Sequence, residues 1–192
     1  MKRRLPIRLI ASTVMLYALS PAAAFADSDN DLVLFGKDPG DAKAFACYTR
    51  RYDAPHLASH PQQNVRDMTV FVNSFYDKDV GRQYDLEIGV HFRKRKALFQ
   101  LSGGCSASAD GTSALTCGID CDGGRIDVQI KDATSILVSI PDGARTTDPG
   151  EPAPKGTQFW SDDKIFRLDR TRLPDCLPLV SDDDKAAVAA GK

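Results

Sequence analysis

The chain has 192 residues, 25 of them basic and 26 acidic, so its formal net charge is −1. That near-neutral value joins two unlike parts. Lys2, Arg3, Arg4 and Arg8 are the only charges in the first 26 residues, and the other 166 hold 21 basic against 26 acidic groups, or −5. Scattered charge with an acidic balance excludes a basic nucleic-acid binder, and 24 Asp against only Glu87 and Glu151 disfavours a helical protein, because Asp favours turns and caps.

Residues 1–26 read as a secretory signal peptide. Met1 to Arg8 is basic, Leu9 to Leu19 is mostly apolar, and Ala24-Phe25-Ala26 offers small residues for cleavage after Ala26. The apolar run is shorter than the ~20 residues that span a bilayer, and no Cys near the cleavage point provides a lipid anchor. No later stretch reaches spanning length, so the expected product is soluble and periplasmic or secreted. Residues 27–42 are expected to form a flexible, Asp-rich start to the mature chain, and an all-β domain is expected over 43–178.

Ala44 to Tyr52 carries the β-formers Phe45, Tyr48, Thr49 and Tyr52 and predicts an opening strand. His56 to Gln63 offers one helical turn ended near Pro61. Arg66 to Tyr76 and Tyr84 to Phe92 predict a hairpin around the turn residues Tyr76 to Gly81. Within the second strand Tyr84, Leu86, Ile88, Val90 and Phe92 alternate with Asp85, Glu87, Gly89 and His91, the period of a half-buried strand. Arg93-Lys94-Arg95-Lys96 reads as a solvated connection. Further strands follow at Ala97 to Leu101, Leu115 to Cys121, Arg125 to Ile130, Ser135 to Ile140 and Ile165 to Leu168. A Pro- and Gly-rich loop over 141–163 ends in Phe159 and Trp160, the candidate lid residues for a ligand. Residues 179–192 are expected to be a disordered tail.

About eight short strands with Gly and Asp turns predict a single antiparallel domain, an up-and-down barrel, with a β-sandwich as the alternative. An outer-membrane barrel is rejected because the outward positions carry Asp85, Glu87, His91, Arg125 and Asp127 rather than an apolar band.

Five Cys in an exported chain are disulfide candidates first. A tight turn centred on Gly111, after Asp110, sets Cys105 opposite Cys117. Cys47 and Cys176 lie on the first and last ordered segments, which are neighbours in a closed barrel. Cys121 is then left over, though it could replace Cys47 or Cys176 as a partner. His56 and His60, spaced i, i+4, are the metal-ligand candidates, but Pro61 follows at once and the Glu of a His-Glu-x-x-His motif is missing. No calcium loop, phosphate-binding Gly loop, dinucleotide fingerprint or Gly-x-Ser-x-Gly elbow is present, so no cofactor and no catalytic residue are assigned.

Over about the last half of the chain, Cys121-Asp122-Gly123-Gly124, the alternating apolar residues after it and the late Phe166-Arg167-Leu168 resemble small exported bacterial proteins to which no activity is attached. The resemblance implies no function and transfers no site residue. The expectation is an exported all-β module with a binding or structural role, whose partner would be a small ligand or a protein. Alternatives are a metal- or redox-linked protein using His56, His60 and a spare Cys, and a small hydrolase or enzyme inhibitor.

Overall fold

A computed structural model of the chain describes residues 25–108, 114–120, 123–145 and 154–192. Residues 1–24, which hold most of the expected signal peptide, the expected Asp110-Gly111 turn, Cys121 and residues 146–153 lie outside the described residues.

Eight antiparallel strands close into an up-and-down barrel in sequence order. They are β1 (Ala44–Arg51), β2 (Val65–Asp77), β3 (Gly81–Phe92), β4 (Phe99–Ala107), β5 (Leu115–Ile119), β6 (Gly124–Asp132), β7 (Ser135–Ser139) and β8 (Ile165–Arg170). Each strand therefore pairs with the one before it, the pattern that short turns between alternating segments produce. The β2–β3 hairpin shows the local chemistry. Asp77 accepts from the backbone N–H groups of Asp79 and Val80, and Gly81 takes a positive φ of 82° that few side chains tolerate.

Period two puts Met68, Val70 and Val72 of β2 inside with Tyr84, Leu86, Ile88, Val90 and Phe92 of β3. Leu101, Leu115, Ile126, Val128, Ile136, Val138, Phe166 and Leu168 join them in one continuous core. The barrel is filled with side chains rather than hollow, as barrels of eight strands commonly are. The seam is short: β1 meets β8 only at Tyr48↔Arg170 and Thr49↔Asp169, against eight pairs between β1 and β2.

The chain termini differ from the flexible segments expected. Within 27–42, residues up to Phe35 belong to helix α1 (Phe25–Phe35), which closes one barrel end. Leu34 and Phe35 pack into the barrel core, Tyr48 donates to the Leu34 carbonyl at 2.7 Å, and Asp31 accepts from Tyr84 at 2.8 Å and pairs with Arg82 at 3.2 Å. The Asp-rich composition concealed this helix because Asp31 is buried with Leu34 and Phe35 on one face, at the i, i+3, i+4 spacing of an inward stripe.

The C-terminal residues 179–192 likewise belong to a structured strap. A 3₁₀ helix (Leu173–Leu179) leads into helix α3 (Lys185–Ala189), and Leu179, Val180 and Val188 are buried. They cover Phe45 and Phe71 on the outer faces of β1 and β2, making a second apolar cluster outside the barrel. Asp182 and Asp183 stay exposed, Lys43 pairs with the partly buried Asp184, and Lys185 pairs with Asp182.

Both expected disulfides form. Cys105 and Cys117 sit opposite each other in the β4–β5 register and are bonded, with Cα atoms 4.0 Å apart. Cys47 is bonded to Cys176, with Cα atoms 5.9 Å apart. The second bridge does not cross the seam: Cys47 points outward from β1 and fastens the strap, because Cys176 belongs to the 3₁₀ helix after β8.

Candidate functional site

With one barrel end closed by α1, the opposite end is formed by residues 154–164, helix α2 (Ala54–Ser59) and the connection after β3. The loop is held by one fully buried carboxylate. Asp163 accepts from the backbone N–H groups of Asn64 at 2.8 Å, Trp160 at 2.9 Å and Val65 at 3.1 Å. Burial pushes its carboxyl up from the ordinary Asp range, and the three N–H groups act in the opposite direction. From the other side, the Asn64 amide donates to the carbonyls of Gln158 at 2.8 Å and Gly156 at 3.1 Å.

That clamp separates the two candidate lid residues. Phe159 turns inward, edge-on to Phe92 at 5.6 Å and Phe166 at 6.4 Å, and packs on the barrel core. It plugs that end of the barrel. Trp160 turns outward and stays 38% exposed. A mainly apolar recess of about 400 Å³ opens beside it, with Lys94, Arg95, Lys155 and Gln158 on its walls. Arg95 is fixed there by donating through Nε and a terminal nitrogen to the Lys155 carbonyl. Lys94 and Lys155 are exposed and make no ion pair among the described residues, so their charge is available to a ligand. The recess combines an aromatic face with cations, suiting an anion that has a flat apolar body.

The Arg93 to Lys96 run is thus more than a solvated connection. Arg93 clamps the end of α2 by donating to the carbonyls of Leu57 at 2.5 Å and His60 at 2.6 Å, while Lys94 and Arg95 line the recess. Asp53 caps the other end of α2, accepting from the His56 N–H at 2.8 Å.

His56 and His60 do share a face, but as a stack. Their ring centroids are 4.1 Å apart with an interplanar angle of 16°, and Tyr52 lies 4.6 Å beyond His56. Metal binding uses lone pairs in the ring plane, and stacked rings direct theirs in parallel planes instead of toward one point. His56 Nε2 meets the Gln63 side-chain oxygen at 3.0 Å, and His60 Nδ1 meets the His56 carbonyl at 2.8 Å. Among the described residues, no group of three or more His, Cys, Asp or Glu is placed to hold a metal ion. No helix there is long and apolar enough to cross a membrane.

Sequence reasoning missed a second polar grouping. The strand register lines up Arg51, Asp67 and His91 across the outer faces of β1, β2 and β3, and His91 Nδ1 lies 2.5 Å from Asp67. The signal was present as an outward His on an alternating strand, but its partner is 24 residues away and only the register reveals it. Compared with protein-family profiles, curated proteins and solved structures, the chain matches none of them.

Proposed function

We propose that this protein is an exported, soluble binding module of the bacterial periplasm, a filled β-barrel that receives a small organic anion at the Trp160 recess. Export is supported by the basic, apolar and small-residue order of residues 1–26 and by two disulfides, which persist in oxidising compartments. The binding role rests on one observation. The sole Trp faces an apolar recess of about 400 Å³, the size of small-ligand sites, with Lys94 and Lys155 lacking ionic partners among the described residues. Because the barrel is filled, the ligand lies on the barrel end and not within it.

Trp160 is its own reporter. Titration with 2-naphthoate, against uncharged 2-naphthalenemethanol, is expected to give saturable quenching with the anion, weakened about tenfold by Lys155→Met through loss of one charge-assisted contact. Absence of saturation with aromatic, aliphatic and sulfonated anions would refute the binding role. The export part is tested by expressing the full chain in a Gram-negative host. A periplasmic product lacking residues 1–26 is expected, and a cytoplasmic full-length product contradicts it.

A further inference from the structure

We propose a second ligand site on the barrel wall, at the Arg51, Asp67 and His91 row, for the tetrahedral oxyanion of a phosphate or sulfate monoester. The next row along the same face, Thr49, Thr69 and Gly89, supplies two hydroxyls, and Thr49 and Thr69 border a recess of about 360 Å³ together with Arg51, Asp67 and His91. The strap stops there: Leu179 lies over Gly89, where an added Cβ would come within 2.9 Å of it, so the polar rows begin where the apolar cover ends.

The donors line one recess. Asp67 meets His91 Nδ1 at 2.5 Å and accepts from Arg66 Nε at 3.0 Å, which fixes the imidazole by one nitrogen at the edge of the recess. Arg51 is exposed on the same row and has no acidic partner among the described residues. Arg50 also borders the recess, but its guanidinium lies over Tyr52 at 5.2 Å and pairs with Asp169 at 3.6 Å. Asp67 already bridges Arg66 and His91, and Asp169, opposite Thr49 in the register, takes Arg50, so of the three guanidinium groups Arg51 is the one without a carboxylate partner among the described residues. The recess therefore keeps a surplus of positive donors, and a guanidinium fork with flanking hydroxyls matches the oxygens of a phosphate or sulfate group. The volume exceeds that of the oxyanion alone, so an organic body of sugar size is accommodated beside Thr49 and Thr69.

The test follows the His91 imidazole by NMR in the full mature protein. Glucose 6-phosphate, glucose 6-sulfate, inorganic phosphate and glucose are titrated separately. Saturable shifts of His91 with both esters and none with glucose are expected, with Arg51→Met weakening binding about tenfold. Inorganic phosphate binding as tightly as the esters would assign the site to the free ion and overturn the ester reading. No saturable shift with any anion, or equal binding by Arg51→Met, overturns the site itself. Arg51 is exposed, so its variant keeps the fold, and thermal melting verifies this. Lys155→Met, in the Trp160 recess, is expected to leave these titrations unchanged. If it weakens them as much as Arg51→Met does, the wall site is wrong and the Trp160 recess holds the ester.

Discussion

At the scale of single residues, the informative groups are carboxylates whose surroundings work against their charge. Glu87 lies on the outer face of β3, opposite Phe71 of β2 and Ser102 of β4. Burial, with Asp120 and Asp85 nearby, pushes its carboxyl up to about 7 from the ordinary 4.5. Because the folded value is raised, ionising Glu87 opposes folding. The effect is absent below about pH 4.5 and removes stability as pH rises through 7. Glu87→Gln should match the wild type in urea unfolding near pH 4 and exceed it by about 1 kcal/mol near pH 8, after allowance for solvent screening. Equal stability at both pH values would show that Glu87 ionises as an ordinary surface residue.

Asp163 behaves differently because three backbone donors depend on it. Asp163→Ala leaves the N–H groups of Asn64, Val65 and Trp160 without their acceptor and should cost about 1–3 kcal/mol. The same variant should shift Trp160 emission, since the loop that orients the indole loses its tie. Neither role could be read from the sequence, where Glu87 is one of two Glu and Asp163 one of 24 Asp, with nothing along the chain to mark either.

At the scale of elements, β4 and β5 approach closely because Gly103 has no side chain. A Cβ there would lie 2.1 Å from the Gly118 carbonyl oxygen, which is backbone and cannot rotate away. Gly103→Ala must part the two strands, at a cost of about 1–3 kcal/mol or more, visible as a lower thermal midpoint. Gly104 has open space at the same position, so Gly104→Ala is the control and should melt near the wild type. Helix α1 invites a parallel test. Leu34 is buried against the barrel end, and Leu34→Ala should lose about 2–5 kcal/mol if the helix is part of the folded unit. A change near zero would mean that the helix only rests on the barrel. The strand pattern made the barrel legible, whereas these terminal elements were not. Each buries only a few apolar residues, against surfaces that exist only after the strands have closed.

At the scale of the whole molecule, the two disulfides do different work. Cys105–Cys117 links residues 12 apart within one hairpin, while Cys47–Cys176 links residues 129 apart and fastens the strap to the barrel. Chain-entropy arguments give about 3 kcal/mol for the short closure and about 5 for the long one. The pair Cys47→Ala/Cys176→Ala should therefore lose about 1–2 kcal/mol more than Cys105→Ala/Cys117→Ala in urea unfolding. It should also admit protease near residue 172, because the second apolar cluster would no longer be tied down. If the strap instead resists cleavage in that variant, Leu179, Val180 and Val188 hold it by packing alone.

What the sequence determined by itself was whatever depends on neighbours along the chain. Alternation over Tyr84 to Phe92 set one face of β3 inward, the Asp and Gly turns divided the chain into eight strands, and the turn register paired Cys105 with Cys117. What only the tertiary structure decided depends on residues far apart in sequence. Closure of the barrel brought His91 against Asp67, set Trp160 outward while Phe159 turned in, and gave α1 and the strap their surfaces. The net charge of −5 after residue 26 illustrates both: its Asp residues mark turns and exposed edges along the chain, but Asp31, Asp67 and Asp163 acquire their partners only through the fold. Periodicity and turn propensity are local properties. A buried hydrogen bond or a charged recess requires a second segment, whose position is fixed only when the chain has folded.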